Sequence, residues 1–147
     1  MIATEFLRLR DKKECDRMTK TEKLAALYKQ ASRLNDELPA ELIKKMEIQG
    51  RILELIGGLW AEATKDWKLA EAKRRETIAT VYSLDPEGTV KDKEMKAEMA
   101  AAEWRRKEAE YEAEALRWKA AYVATQETIQ ILKKKYEHMK EVAKGGV

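Results

Sequence analysis

The stretch Asp85-Pro86-Glu87-Gly88-Thr89 decides the fold, because it interrupts a chain that otherwise favours helix. Proline presets its own φ angle and glycine tolerates positive φ, so this combination is typical of a tight turn. Alanine, glutamate, lysine, leucine and arginine dominate the flanking sequence, as they do in long helices. The sequence therefore predicts a long antiparallel, coiled-coil-like helical hairpin over residues 39–147, with its turn at residues 83–89.

The helix before the turn is predicted to run from about Ala40 to Tyr82, with Pro39 at its first position, where a missing N–H costs nothing. Its residues recur at intervals of four and three, which is the heptad spacing of a coiled-coil seam. The seam comprises Leu42, Met46, Gln49, Leu53, Ile56, Trp60, Ala63, Trp67, Ala70, Arg74, Ile78 and Val81.

A second apolar stripe lies beside this seam in the first half of the same helix. A helix that is apolar over so wide an arc must be covered on more than one side, so we expect this stripe to lie at an interface. Gly57 and Gly58 in the same region mark either a close approach of another helix or a kink. The stripe comprises Ile48, Ile52, Leu55 and Leu59.

The helix after the turn is predicted to begin near Thr89, whose hydroxyl can cap the N–H of Asp92, and to end at Lys144. It carries two heptad stripes on opposite faces. Since one hairpin cannot bury both, we expect an oligomeric helical bundle made of identical chains. The first stripe, expected to face the preceding helix, comprises Met95, Met99, Ala102, Arg106, Ala109, Ala113, Leu116, Ala120 and Val123. The second comprises Trp118, Tyr122, Thr125, Ile129, Leu132, Tyr136 and Met139.

Residues 1–38 are predicted to form short N-terminal helices, which completes an all-α fold. Thr21 is a candidate N-cap for a helix that contains Leu24 and Leu27, and the apolar residues Ile2, Phe6, Leu7 and Leu9 favour a shorter helix before it. These segments can cover the base of the hairpin or pack on another subunit, and the sequence leaves both arrangements open.

The composition argues against several classes of protein. No apolar run approaches the roughly 20 residues of a membrane-spanning helix. The single cysteine, Cys15, allows no internal disulfide, so we expect a reducing cytoplasm. The one histidine, His138, lacks partners at a metal-binding or catalytic spacing. We therefore expect no enzyme activity, no cofactor and no bound metal.

Three basic clusters are the strongest polar features of a chain whose net charge is only +3. They are candidate nucleic-acid-binding residues, because lysine and arginine displace counterions from phosphates. The alternative is an ordinary solvated helix face. Arg74 and Arg106 also occupy seam positions, where they either reach out to solvent or fix the register. The clusters are Lys73-Arg74-Arg75, Arg105-Arg106-Lys107 and Lys133-Lys134-Lys135.

Aromatic residues on the second helix of the hairpin are candidate interface residues. Trp104 and Trp118 lie off the first stripe of that helix, and Tyr122 follows Trp118 by one turn. Exposed tryptophans are enriched at interfaces, so we expect these three to contact another subunit, a partner protein or a nucleic acid.

The stretch from about Glu41 to Val142 resembles small helical proteins encoded in the DNA recombination and replication modules of tailed bacteriophages. The resemblance rests on the Lys73-Arg74-Arg75 helix that ends at Tyr82, the acidic glycine-containing turn, and Arg117-Trp118 before a final heptad run. It implies a DNA-binding accessory protein without sequence specificity, which acts as a homo-oligomer in the host cytoplasm beside a phage or host replication or recombination protein. The alternative, favoured by the doubled stripes and balanced charge, is a structural or adaptor coiled-coil protein that binds another protein.

Overall fold

Three helices make up nearly all of the chain. The computed structural model describes residues 2–145, with side chains from residue 8 onward except at positions 10, 11 and 15. The helices are α1 (Ile2–Ser32), α2 (Pro39–Ser83) and α3 (Val90–Lys144), and no strand occurs within residues 2–145. The predicted all-α class and the two long helices on either side of the turn are confirmed.

The ends of the long helices follow from local chemistry. Pro39 is the first residue of α2, as predicted. The Thr89 hydroxyl accepts a hydrogen bond from the Asp92 N–H at 3.2 Å, which caps α3. A Cβ at position 88 would lie 2.5 Å from the Asp85 carboxylate, so a larger residue there would require this side chain to move.

The N-terminal residues differ from the prediction, because α1 is one continuous helix and not two short ones. Thr21 does not cap a helix; its hydroxyl donates to the Arg17 carbonyl at 2.9 Å, one turn back inside α1. The physical reason is that residues 12–24 contain neither proline nor glycine, so nothing interrupts the helix. The side chains of Ile2, Phe6 and Leu7 lie outside the described residues.

The chain divides into two compact units. The first, here called the base unit, contains α1, α2 as far as Leu59 and α3 from Ala120 onward. All three helices contribute to its core, and this core includes Ile52 and Leu59 of the second stripe of α2. Its buried apolar residues are Leu24, Ala31, Leu42, Ile52, Ile56, Leu59 and Leu132.

The second unit, here called the tip unit, contains α2 from Trp60, the turn and α3 as far as Lys119. Its buried apolar residues are all alanines, whereas its tryptophans are half-buried. Small side chains let two helices approach closely, so this unit is an alanine-packed helix pair. The alanines are Ala63, Ala70, Ala97, Ala101 and Ala115.

The heptad seam predicted for α2 matches the burial along that helix. Every seventh residue is buried, and the intervening positions are half-buried. Gln49 is one of the buried positions and supplies the predicted polar break. The buried positions are Leu42, Gln49, Ile56, Ala63 and Ala70.

The seam predicted for α3 is wrong. All nine residues of the first stripe are exposed, and Met99 retains 76% of its surface. The buried and half-buried residues lie two positions further along at every layer, a rotation of about 200° to the opposite face. This inner seam comprises Ala97, Ala101, Trp104, Glu108, Tyr111, Ala115 and Trp118, and continues through the predicted second stripe of Tyr122, Thr125, Ile129, Leu132, Tyr136 and Met139.

Candidate interaction surfaces

The first basic cluster lies in the tip unit, and acidic neighbours pair with its charges. Lys73 Nζ lies 3.5 Å from Glu76, and Arg75 lies 2.7 Å from Glu71. Both pairs connect positions three or four residues apart on one helix, as ordinary helix ion pairs do. These two cations therefore present less net charge to a polyanion than their sequence suggests.

Arg74 forms a partly buried ion pair in the tip unit. Its Nε donates a hydrogen bond of 2.6 Å to Oε2 of Glu108 on α3, and the two side chains retain 22% and 19% of their surface. This hydrogen bond raises the pKa of Arg74, although partial burial acts against it. Arg74 was predicted either to reach out to solvent or to fix the register of the seam. The structure supports the second role, because the side chain is bound by Glu108 on α3.

The second basic cluster is divided between paired and unpaired side chains. Arg105 forms an ion pair with Glu98 on the same helix. Lys107 lies 3.6 Å from Glu103 and also sits over the Trp104 ring, 4.8 Å from its centroid. Arg106 is exposed and has no ion pair among the residues that the structure describes.

The third basic cluster lies in the base unit. Lys135 Nζ lies 2.7 Å from Glu37 and 3.4 Å from Asp36, so it joins α3 to the turn before α2. These contacts raise the pKa of Lys135, and its ammonium holds the pKa of Asp36 below the ordinary value. Lys133 and Lys134 are exposed beside an open groove that Leu53 and Ile131 also line.

The candidate interface residues of the base unit are buried or half-buried within it. Ile52 and Leu59 are buried in the base unit, and Ile48, Leu55 and Tyr122 are half-buried there. The Tyr122 ring lies 3.4 Å from where a Cβ on Gly57 would be, so Gly57 marks a close approach of α3. The helix α2 continues through both Gly57 and Gly58.

Trp104 and Trp118 are half-buried positions of the inner seam. They lie off the first stripe, as predicted, but they belong to the inner seam because the hairpin uses the opposite face of α3. Both side chains keep part of their surface, so their contact with another subunit, a partner protein or a nucleic acid stays a prediction.

The first stripe of α3 is an exposed apolar surface of the tip unit. We call its part within this unit the outer seam: Met95, Met99, Ala102, Arg106, Ala109, Ala113 and Leu116. Six of these seven residues are apolar, all are exposed, and they keep the alternation of four and three. The sequence carries this pattern plainly; what it did not show is which of the two seams the hairpin occupies.

A further groove of the base unit lies where α1 ends and α2 begins. It is lined by three exposed cations, Arg33, Lys44 and Arg51, over half-buried Leu34 and Ile48. Sequence reasoning missed these cations because they are separated by many residues and form no cluster along the chain. Gln30 and Glu47 complete the lining.

Other kinds of site have little support in the described part of the chain. No group of three or more histidine, cysteine, aspartate or glutamate side chains within it is placed to hold a metal ion. Within the same residues no helix is both long enough and apolar enough to span a bilayer. The predictions about activity and cofactors remain predictions.

In comparisons with known proteins, no family model, curated protein or solved structure matches this chain. A proposal for its function therefore rests on the surfaces described above.

Proposed function

We propose that this chain is a structural or adaptor helical protein that associates through the outer seam, and that a second copy of the chain is the occupant. The observation that carries the proposal is the exposure of Met95, Met99 and Leu116 at heptad positions, on the face of α3 opposite the inner seam. Apolar side chains at this spacing are what one helix presents to another helix, and burying them removes apolar surface from water.

A second copy fits the outer seam because the seam is complementary to itself. Two outer seams that run antiparallel about a two-fold axis place Met99 opposite the partner subunit's Leu116. They also place Ala102 opposite the partner subunit's Ala113, and Arg106 opposite the partner subunit's Ala109. The large residues then lie at the ends and the small residues at the centre, where the Arg106 side chain can reach past alanine to solvent.

The charges beside the outer seam balance in this arrangement. On one flank, Glu98 faces the partner subunit's Lys119 and Arg105 faces the partner subunit's Glu112, which are attractive pairs. On the other flank, Glu103 faces the partner subunit's Glu110 and Lys96 faces the partner subunit's Arg117, which are repulsive pairs. The apolar layers must therefore supply the stability, so association should depend only weakly on salt.

The test is the molar mass in solution, measured by light scattering over a range of protein concentrations. We expect twice the monomer mass for the wild-type chain and the monomer mass for Met99→Glu/Leu116→Glu. The matched control is Leu69→Glu/Leu84→Glu, which places the same charge on exposed leucines outside the outer seam and should still dimerise. A wild-type chain that is monomeric at every concentration would refute the second copy as the occupant.

We propose DNA binding as the second candidate function, as a non-enzymatic accessory protein of phage-type recombination or replication in the host cytoplasm. Its support is the resemblance described above and the exposed cations Arg106, Lys133 and Lys134, which have no ion pair among the described residues. Such cations remain available to displace counterions from a phosphate backbone.

Binding to labelled single-stranded and double-stranded DNA at several salt concentrations tests the second candidate. Electrostatic binding is strong at about 50 mM salt and weakens steeply as salt increases. The absence of binding at that concentration would rule out DNA as the ligand.

A further inference from the structure

The groove between the end of α1 and the beginning of α2, here called the cationic groove, concentrates positive charge outside any described ion pair. Arg33, Lys44 and Arg51 line it, and none of them forms an ion pair with a described residue. This is the reverse of the predicted basic clusters, where most cations pair with nearby acids. The groove is thus a better candidate for an anionic ligand than any cluster read from the sequence.

The electrostatic balance of the cationic groove favours a ligand with negative charge. Glu47 is its one acidic lining residue, and the carbonyl groups at the end of α1 add only partial negative charge. Three positive charges against one leave a net positive groove. Leu34 and Ile48 add half-buried apolar side chains to its lining.

The donor set of the groove matches phosphate. Arg33 and Arg51 each offer a planar fork of N–H donors that can bind two oxygens of one phosphate, and Lys44 adds a point charge. No aromatic side chain lines the groove, so it offers no surface on which an unpaired base could stack. Groups that read base edges specifically are also few, because Gln30 is the only amide present.

We propose that the cationic groove binds the phosphodiester backbone of duplex DNA without sequence preference. This inference rests on the second proposed function and names the surface that would perform it. Duplex DNA is the expected form because it carries the higher charge density along its axis and needs no stacking platform. The Arg106 and Lys133-Lys134 positions then contribute less to binding than the groove does.

The test uses fluorescence anisotropy of a short labelled duplex with the full chain, over a salt series. The groove variant is Arg33→Gln/Lys44→Gln/Arg51→Gln. The control is Lys73→Gln/Arg75→Gln/Lys107→Gln, which removes the same charge from lysines and arginines that already pair with acids. Glutamine favours helix about as well as lysine and arginine, so both variants should retain the wild-type circular dichroism.

We expect the groove variant to bind at least about tenfold more weakly than the wild-type chain at about 50 mM salt, and the control to bind within about threefold of it. The slope of log K against log salt should fall by roughly 2.7 in the groove variant, since each lost phosphate contact contributes about 0.9.

Three results would overturn the proposal, and they can be told apart. Equal weakening of both variants, or weakening of the control alone, would show that DNA binds elsewhere on the chain and would leave the DNA-binding function intact. Tighter binding of single-stranded than duplex DNA by more than about tenfold would indicate base stacking. No binding by the wild-type chain at about 50 mM salt would remove both the groove and the DNA-binding function.

Discussion

Two neighbouring alanines on α3 distinguish the inner seam from the outer seam. Ala101 is fully buried in the tip unit, where α2 is the only other helix, whereas Ala102, about 100° further round α3, is exposed. We predict that Ala101→Leu destabilises the protein and that Ala102→Leu does not. Both substitutions add the same three carbon atoms, so any difference between them reports on the packing of the hairpin.

The magnitude follows from the lack of space around Ala101. Extra methylene groups forced into a packed core cost about 1–3 kcal/mol, so we expect about 2 kcal/mol for Ala101→Leu. For a chain of this length each kcal/mol lowers the melting temperature by about 2–4 °C, which corresponds to a fall of about 6 °C. At position 102 only the small difference in helix propensity remains, about 0.2 kcal/mol.

The assay is urea and thermal unfolding followed by circular dichroism, at a protein concentration low enough to keep the chain monomeric. Dilution matters because leucine at position 102 would enlarge the outer seam and could strengthen association. A larger loss of stability for Ala102→Leu than for Ala101→Leu would mean that the hairpin packs through the outer seam, and the inner seam would then be wrong.

Three further predictions concern a glycine and two ion pairs. Gly50 is exposed within α2 and a Cβ there would meet nothing within 4 Å, so Gly50→Ala should stabilise the chain by about 1 kcal/mol, measured by urea unfolding. Glu108→Ala leaves the partly buried Arg74 without its partner and should cost about 1–2 kcal/mol in the same assay; a loss as small as that of Glu76→Ala would contradict a structural role for this pair. Lys135 lowers the pKa of Asp36, so this carboxylate stabilises the fold above its unfolded pKa of about 3.9, and that contribution is lost as pH falls through its lower folded value. Asp36→Asn should therefore flatten the acid limb of a stability–pH curve, and identical curves for variant and wild type would show that the contact contributes nothing.

The ends of α2 and α3 were predictable because short-range chemistry sets them. Proline is disfavoured inside a helix but suits the first position, where Pro39 lies. The Thr89 hydroxyl accepts a hydrogen bond from the first turn of α3. Gly88 leaves room for the Asp85 carboxylate beside it. None of these signals depends on what packs against the helix, so the sequence alone was sufficient.

The choice between two seams on α3 could not be made by ranking hydrophobicity. Met99 and Leu116 are more apolar than Ala97 and Ala101, yet the alanines are buried. A close pair of helices selects small side chains at its centre, and that requirement appears only when both helices are considered together. The charge of Glu108 also obscured the inner seam, because its partner Arg74 lies on the other helix.

The sequence predicted candidate binding sites only where basic residues are consecutive along the chain. A run such as Lys73-Arg74-Arg75 is conspicuous in the sequence, but three consecutive residues of a helix point in different directions and find different partners. The cationic groove has the opposite character. Arg33 follows α1 whereas Lys44 and Arg51 lie on α2, so only the packing of the two helices brings them to one groove.

The alanine packing of the tip unit has a consequence for how its two helices are aligned. The seams of both helices repeat every seven residues, so sliding one helix past the other by a heptad, about 10 Å, would again set one seam against the other. The pairs Arg74–Glu108 and Asp85–Lys96 break this near-degeneracy, because a slide would separate both. Substitution at Glu108 would therefore alter which alignment the hairpin prefers more than whether its helices pair at all.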